Sequence, residues 1–422
     1  MATLALLGGS PALAQPLVPY CSTGSEEAEA VQRVMKSGRL SCFIGALCND
    51  FDGGPEILAF EHAWATRFNC KHAITVNSNT SGLIAAMGAI GISPGDEVIM
   101  PPFSMSATAM APLIYGGIPV FVDLEMETFC LDPAKARAAI TPKTRAIFAV
   151  NMFGHPAALH ELRALADEKG IYLIEDAAQC PLAMENGRYA GTIGHIGIFS
   201  LNYHKHVHTG EGGVCCTDDD GLALRLRVIR NHGENVVEPL AIADATNLVG
   251  FNFRLTELQA AIGTEQLKKI DRLVDERELI AKRLSDAMRG FPGLLPPVVR
   301  NDCRHVYYVW MARYDAASTG VSRQRLAKAL NAEGVPITEG YVAPLYLLPV
   351  FQRRMAIGRE GWPFTLTERR YDRGLCPEAE RLHDKELLEF CVCSYRLDES
   401  ELNDVIRAFE KVFSNLDVLR DL

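Results

Sequence analysis

The chain has 422 residues, 48% hydrophobic and 22% charged, enough to bury a full core in about two or three domains. Its formal net charge of −10 excludes a broad nucleic-acid surface, because no basic excess exists to displace phosphate counterions. No run of about 18 apolar residues occurs, so no membrane span is expected.

The opening segment MATLALLGGSPALAQ imitates a targeting peptide, with a short apolar run before Ala12-Leu13-Ala14. A secretory signal opens on basic residues, and the first basic residue here is Arg33, so the segment reads as folded chain. The 12 cysteines fall irregularly and form no CxxC pair. Reduced, buried thiols in a cytoplasmic enzyme are expected.

In chain order, a helix starts near Ser25 and stops at Gly38, and residues 39–54 are loop. Pro55 suits the first turn of a helix reaching Phe68. Strand–helix alternation follows: strand His72–Val76, helix Ser81–Ile90, strand Glu97–Met100, helix Ala107–Tyr115, strands Pro119–Val122 and Ala146–Val150. Helix Leu159–Lys169 then leads to strands Ile171–Ile174, Ile196–Phe199 and Val214–Cys216. This pattern implies a largely parallel sheet covered on both faces. Apolar positions near a 3.6 period predict a long helix from Thr256 to Arg289, and Gly290, Pro292, Pro296 and Pro297 mark a boundary. Beyond it lie strand Val306–Ala312, helix Arg323–Ala332, a strand carrying Cys391 and Cys393, and a helix from Glu399 to Phe413. The expected division is an N-terminal arm and helix over 1–54, a large domain over 55–290 and a small domain over 291–422.

Two strand ends carry the chemistry. The first is Tyr172-Leu173-Ile174-Glu175-Asp176-Ala177-Ala178-Gln179, an acidic pair where open α/β sheets bind ligands. The second is Ser200-Leu201-Asn202-Tyr203-His204-Lys205, a polar loop that ends in Gly210-Glu211-Gly212-Gly213. A lysine there attacks a carbonyl once burial lowers its pKa, although a solvated loop lysine is the commoner case. His204, His206 and His208 alternate, so a zinc site on one strand face and simple packing are both open readings.

These blocks closely resemble the DegT/StrS family of sugar and cyclitol aminotransferases. So do Val76-Asn77-Ser78-Asn79-Thr80-Ser81-Gly82, Pro94-Gly95-Asp96-Glu97-Val98 and Gly250-Phe251-Asn252-Phe253-Arg254-Leu255-Thr256-Glu257. The likeness runs from Gly8-Gly9-Ser10-Pro11 almost to the last helix. It implies an aspartate-aminotransferase-like fold of type I: a mostly parallel, seven-stranded α/β sheet with a smaller α+β C-terminal domain. It also implies pyridoxal 5′-phosphate (PLP), with Lys205 as its Schiff-base lysine and the pyridoxamine form (PMP) as the amino carrier. By the same likeness Asp176 holds the pyridine nitrogen, Gln179 the phenolic oxygen, and Ala178 packs beneath the ring. Asn79, Thr80 and Ser200 meet the phosphate, and Asn252 reaches the phosphate of a neighbouring subunit in a homodimer. Phe103 or Met105 covers the ring face, with Phe103 preferred, and Asn151 stands where a histidine is frequent.

The implied reaction moves an amino group from glutamate or glutamine to a keto-sugar or keto-cyclitol. A PMP-dependent sugar dehydratase is the alternative within the fold, but those members replace the lysine with histidine. Outside it, a zinc hydrolase built on the three histidines is one alternative; a non-catalytic relative is the other, but such a protein is expected to lose Lys205 or Asp176, and both are present.

Overall fold

The structure is a computed structural model that describes residues 2–421. Seven strands form the central sheet: β1 His72–Val76, β2 Glu97–Met100, β3 Ile118–Phe121, β4 Thr144–Val150, β5 Tyr172–Asp176, β6 Ile196–Ser200 and β7 Gly213–Thr217. Their spatial order is β1-β7-β6-β5-β4-β2-β3, and β7 alone runs antiparallel to its neighbours. Helices cover both faces, which is why β2 and β3 are buried at every position and carry no alternating pattern.

Helices α1 Ser25–Ser37, α2 Pro55–Phe68 and α3 Asn79–Ala89 precede the sheet's crossovers. The start of α3 lies two residues before the expected Ser81, because Ser78 caps it, its hydroxyl accepting the Ser81 N–H at 3.0 Å. At Gly82, an added Cβ would come within 2.6 Å of Ile198 Cγ2, so only glycine lets α3 lie this close to β6. The long helix α4, Glu257–Met288, is capped by Thr256 and joins two hydrophobic cores. Its Ile270 and Val274 belong to the core around the central sheet, and Ile280, Leu284 and Met288 to the second core.

A second sheet follows, with β8 Leu294–Leu295, β9 Trp310–Tyr314, β10 Thr338–Glu339 and β11 Leu387–Phe390 in the order β8-β9-β11-β10. It shares its core with α5 Arg323–Ala332, α6 Glu399–Phe413 and, from the chain start, Leu4, Leu13 and Leu17. Glu333 fixes that start. Its buried carboxylate accepts the Ala5 and Ala12 N–H groups at 2.7 and 2.9 Å and pairs with Lys411 at 2.8 Å. Among the described residues, no helix is long and apolar enough to cross a membrane.

Two sequence expectations need correction. The strand placed at Val306–Ala312 begins only at Trp310. The backbone before it bonds elsewhere, Val306 N–H to the Gly154 carbonyl and Val309 N–H to that of Phe153, so it cannot join a ladder. Likewise Cys391 and Cys393 lie beyond the end of β11, in a turn closed by Ser394 N–H on the Cys391 carbonyl. Smaller differences occur at helix ends: the helix after Ala107 stops at Leu113, one residue past Pro112.

Candidate active site

The carboxyl end of β5 carries Glu175 and Asp176, which strand alternation sends to opposite faces. Glu175 is structural. Fully buried, it accepts the N–H groups of Gly191, Ile193 and Gly194 and the side-chain amide of Asn151. Asn151 in turn accepts the Ala157 N–H at 2.9 Å, so it braces Glu175 and is not left free for substrate.

Asp176 faces the other way and is 4% exposed. Its Oδ2 accepts the Thr108 hydroxyl at 2.8 Å, and its Oδ1 accepts the Ala178 N–H at 3.2 Å and Asn79 Nδ2 at 3.4 Å. Thr108 is hydrogen-bonded to Ser104 at 2.6 Å in turn. Burial pushes the Asp176 pKa up, and these donors together with the Lys205 charge oppose the rise.

Lys205 sits in the loop between β6 and β7, opened by a turn from Asn202 and closed by Thr209 N–H on the Leu201 carbonyl at 3.0 Å. Burial lowers its pKa from 10.5 to about 8, against the raising effect of Asp176. Among the described residues it has no ion-pair partner; its Nζ lies 4.2 Å from the ring centroid of Tyr308. A buried amine without a contacting counterion, its pKa lowered by burial more than the nearby Asp176 raises it, is partly neutral near physiological pH, the condition for attack on a carbonyl.

The loop is narrow by necessity. A Cβ at Gly213 would fall 2.9 Å from Asn79 N and from the Phe199 carbonyl, so glycine brings the start of β7 against the N-terminus of α3. Asn79 and Thr80 are the first two residues of that helix, whose free N–H groups and dipole favour an anion. Thr80 is exposed, and Ser200 is half-buried at the end of β6. Lys205, Asp176, Asn79 and Ser200 therefore gather at the β5, β6 and α3 termini. The Asn252 side chain is solvent-exposed and accepts from Arg254 Nε at 2.8 Å, while its carbonyl accepts from Asn77.

Gln179 is held from both ends: its Oε1 accepts the Phe153 N–H at 2.7 Å and its Nε2 donates to the Tyr341 hydroxyl at 3.1 Å. Phe153 takes φ 57°, uncommon for a non-glycine residue, and its ring stands edge-on to Tyr341. Ala178 is half-buried beside Asp176. Phe103 is fully buried and edge-on to Tyr341, whereas Met105 is 63% exposed.

The three histidines diverge. His206 is buried with its Nε2 on the Val306 carbonyl at 2.8 Å, and the His204 ring lies against Tyr203 and Tyr308. His208 meets neither, and its backbone N–H goes to Gln266. They brace the lysine loop and do not converge on one point. Sequence reasoning missed Thr108, which donates to Asp176, and Tyr308, whose ring faces Lys205. No local pattern marks Thr108, and only tertiary packing brings Tyr341 to Gln179.

A parallel α/β sheet that presents a buried carboxylate and a low-pKa lysine at its strand ends defines an enzyme of carbonyl–amine chemistry. The chain belongs to the DegT/DnrJ/EryC1/StrS aminotransferase family, whose model matches residues 22–388. It is 34% identical over 346 residues to the spore coat polysaccharide biosynthesis protein SpsC of Bacillus subtilis, covering 81% of this chain and 86% of that one. It is 33% identical to the L-glutamine:2-deoxy-scyllo-inosose aminotransferase of Streptoalloteichus tenebrarius, over 99% of both chains. An aminotransferase structure from Psychrobacter cryohalolentis superposes with a TM-score of 0.82 at 29% identity, over 95% of this chain and all of that one. The protein is thus a PLP-dependent aminotransferase of fold type I.

Proposed function

We propose that this enzyme transfers an amino group from glutamine, or else glutamate, to the ketone of a polyhydroxylated ring, a keto-cyclitol in preference to a nucleotide-linked sugar. The observation that carries the choice of acceptor is the end-to-end similarity to an inosose aminotransferase, 99% of both chains. The test separates the two halves of the reaction. Purified enzyme given L-glutamine should shift the absorbance of its bound cofactor, and 2-deoxy-scyllo-inosose should reverse the shift and yield an amino-cyclitol. Return of the spectrum only with a nucleoside-diphosphate ketohexose would move the acceptor to the other class. Loss of water from the sugar without nitrogen gain would identify the dehydratase alternative.

The residues present fit the cofactor. An unpaired buried lysine, a buried carboxylate that keeps only neutral donors, and a glycine-narrowed helix N-terminus match its carbonyl, ring nitrogen and phosphate. When bound, PLP supplies an electron sink for the electrons released at the donor's Cα. Lys205 would hold it and move the donor's Cα proton, while Asp176 keeps a proton on the ring nitrogen. Asn79, Thr80 and Ser200 would receive the phosphate, Gln179 the phenolic oxygen, and Ala178 and Phe103 would pack against the ring. The division into 1–54, 55–290 and 291–422 stands as part of this reading; two cores support two packed units, with the change-over inside α4, while Leu345, Phe351 and Phe364 pack on the first core and Leu4, Leu13 and Leu17 on the second. Twelve unpaired cysteines support a reducing, cytoplasmic setting.

The same reading makes the active unit a homodimer with shared sites. Met105 and Tyr203, near the site, are 63% and 69% exposed, as large apolar groups are where a second chain covers them. Asn252, exposed beside the Asn77–Asn79 turn, would serve the partner's phosphate, since a dianion needs more donors than one chain supplies. In a mixture of Lys205→Ala and Asn252→Asp, each inactive alone, a mixed dimer has one site with both defects and one with neither. Random exchange should therefore restore about a quarter of wild-type activity per chain. Full turnover by a sedimentation-verified monomer would rule the shared site out.

A further inference from the structure

Among the described residues no hydrogen bond or ion pair reaches the Lys205 amine, and its Nζ stands 4.2 Å from the centroid of the Tyr308 ring. That ring is held in place from several directions. The chain turns at Tyr307, where φ is 50°, and the N–H groups of Val306 and Val309 bond to the carbonyls of Gly154 and Phe153 at 3.0 and 3.4 Å. His206, next to Lys205, reaches the Val306 carbonyl at 2.8 Å. A carbonyl only accepts, so His206 Nε2 carries the hydrogen, and burial holds its pKa down at about 3, which keeps the imidazole neutral. Cys391 Sγ lies 3.9 Å from the Tyr308 carbonyl. The lysine loop and Tyr308 are thus stapled together, and none of these contacts uses the Tyr308 hydroxyl.

The groups around the amine supply little to offset a positive charge. Asp176 on β5 acts on it, but its oxygens already accept from Thr108, Ala178 and Asn79. Cys391 and Cys393, past the end of β11, face Lys205 with thiols that burial pushes up, Cys393 to about 12, so both are uncharged at neutral pH. His204, with its ring centroid 6.0 Å from that of Tyr308, is pushed down to about 4 by burial and by the Lys205 charge. Arg277 of α4 lies next beyond, acting on His206 and Cys393, with its guanidinium 3.6 Å from the Tyr20 ring. Burial alone disfavours an ammonium here. The face of an aromatic ring has the opposite effect, attracting a cation within about 6 Å, and more strongly in a dry site.

We propose that Tyr308 is a positioning residue for Lys205: its ring face holds the released side chain as an ammonium at the place where it takes and returns the donor's Cα proton. The inference rests on the reading above that Lys205 holds the cofactor and moves that proton. The proton passes from Cα to the Nζ lone pair, the C–H electron pair goes to the cofactor, and the same ammonium later gives the proton back. Each time, a charge appears on Nζ in a buried place. The Tyr308 ring is already in position to stabilise it, so the amine is a stronger base than burial alone would leave it.

The test compares Tyr308→Phe, which keeps the ring, with Tyr308→Leu, which keeps an apolar filling but no aromatic face. Circular dichroism checks the fold, and Tyr308→Met takes the place of the leucine variant if that one is unfolded, with the same expectations. The first readout uses cofactor-free enzyme and follows capture of PLP by absorbance from pH 6 to 10. The wild-type midpoint is expected at about 8. Tyr308→Phe should stay within about 0.3 of it, and Tyr308→Leu should fall about one unit lower, so that capture at pH 7 is about fivefold faster. The second readout uses loaded enzyme. In Tyr308→Leu the limiting rates of the donor and acceptor half-reactions should both fall about threefold to tenfold at little-changed apparent KM, with a larger isotope effect on α-deuterated glutamine. Faster capture together with slower turnover is a pairing that simple loss of packing would not produce. A midpoint that is unchanged in Tyr308→Leu, or that climbs toward 10.5 as a ring serving only to exclude water requires, would overturn the proposal. So would a phenylalanine variant that behaves like the leucine one. Borohydride labelling of a lysine other than Lys205 would instead overturn the reading on which the proposal rests.

Discussion

Lys205→Ala is expected to abolish transamination while leaving the fold intact. The side chain has no hydrogen bond or ion pair to lose among the described residues, and its backbone turn on Asn202 does not depend on it. Truncation also removes a buried charge that is costly to keep, so stability should hold or rise slightly. Activity is a different matter, because no second amine stands at the strand ends to carry the Cα proton. A fall of at least about 10³-fold is expected, more than 4 kcal/mol at about 1.4 kcal/mol per tenfold. The covalent readout is independent of turnover. Borohydride should fix PLP to Lys205 in the wild type, and peptide mapping that finds the label on another lysine would refute the assignment. Capture of PLP by the cofactor-free enzyme should also rise with pH through about 8, because the neutral amine attacks and burial has brought its pKa there. At pH 7.5 the neutral fraction then exceeds that of an ordinary lysine on the order of a hundredfold. A capture rate that climbs only near pH 10.5 would show that Lys205 is solvated.

The sheet was readable because each buried strand is a short apolar run bounded by glycine, proline or a polar turn, and because parallel strands cannot hide among alternating patterns. Asp176 ends one such run and Lys205 follows another in a polar loop, at the carboxyl ends of strands where ligands collect, but their roles came from the resemblance of the surrounding blocks and not from position alone. What escaped was set by contacts between distant segments. Thr108 reaches Asp176 across 68 positions, and nothing near Pro112 announces that its hydroxyl is used. Segment 306–309 is strand-like in composition, yet its backbone bonds to Phe153 and Gly154 and takes the His206 ring, so tertiary pairing overrides its propensity. The three histidines misled in the opposite direction. Their alternation is that of a strand, but the loop that holds Lys205 turns at Asn202 and scatters the rings.

Asp176→Asn should fold normally and lose about 10³-fold in transamination. The substitution keeps size and keeps an oxygen for Ala178 N–H and Asn79 Nδ2. The new amide can donate to the Thr108 hydroxyl, which then passes its own proton to Ser104, since either oxygen of that 2.6 Å pair can be the donor. The rearrangement leaves the hydrogen of the buried Ser104 hydroxyl without its Thr108 acceptor, so a stability loss of about 1–3 kcal/mol is expected. Charge is what disappears. The carboxylate is buried, where burial alone favours its neutral form, and a cationic ring nitrogen beside it would restore the ionised form by mutual attraction. An amide provides no such attraction, so it cannot keep a proton on that nitrogen, and the electron sink weakens when the Cα proton leaves. Preorganised charge of this kind is worth about 3–4 kcal/mol in a dry site, which sets the expected loss. The loss should appear in kcat with little change in KM, because the donor and acceptor contacts are elsewhere. Thr108→Val supplies the contrast: it removes one donor but not the charge, and should cost about tenfold or less. Near-normal turnover by Asp176→Asn, measured with both half-reactions followed separately, would mean that the carboxylate only shapes the strand end.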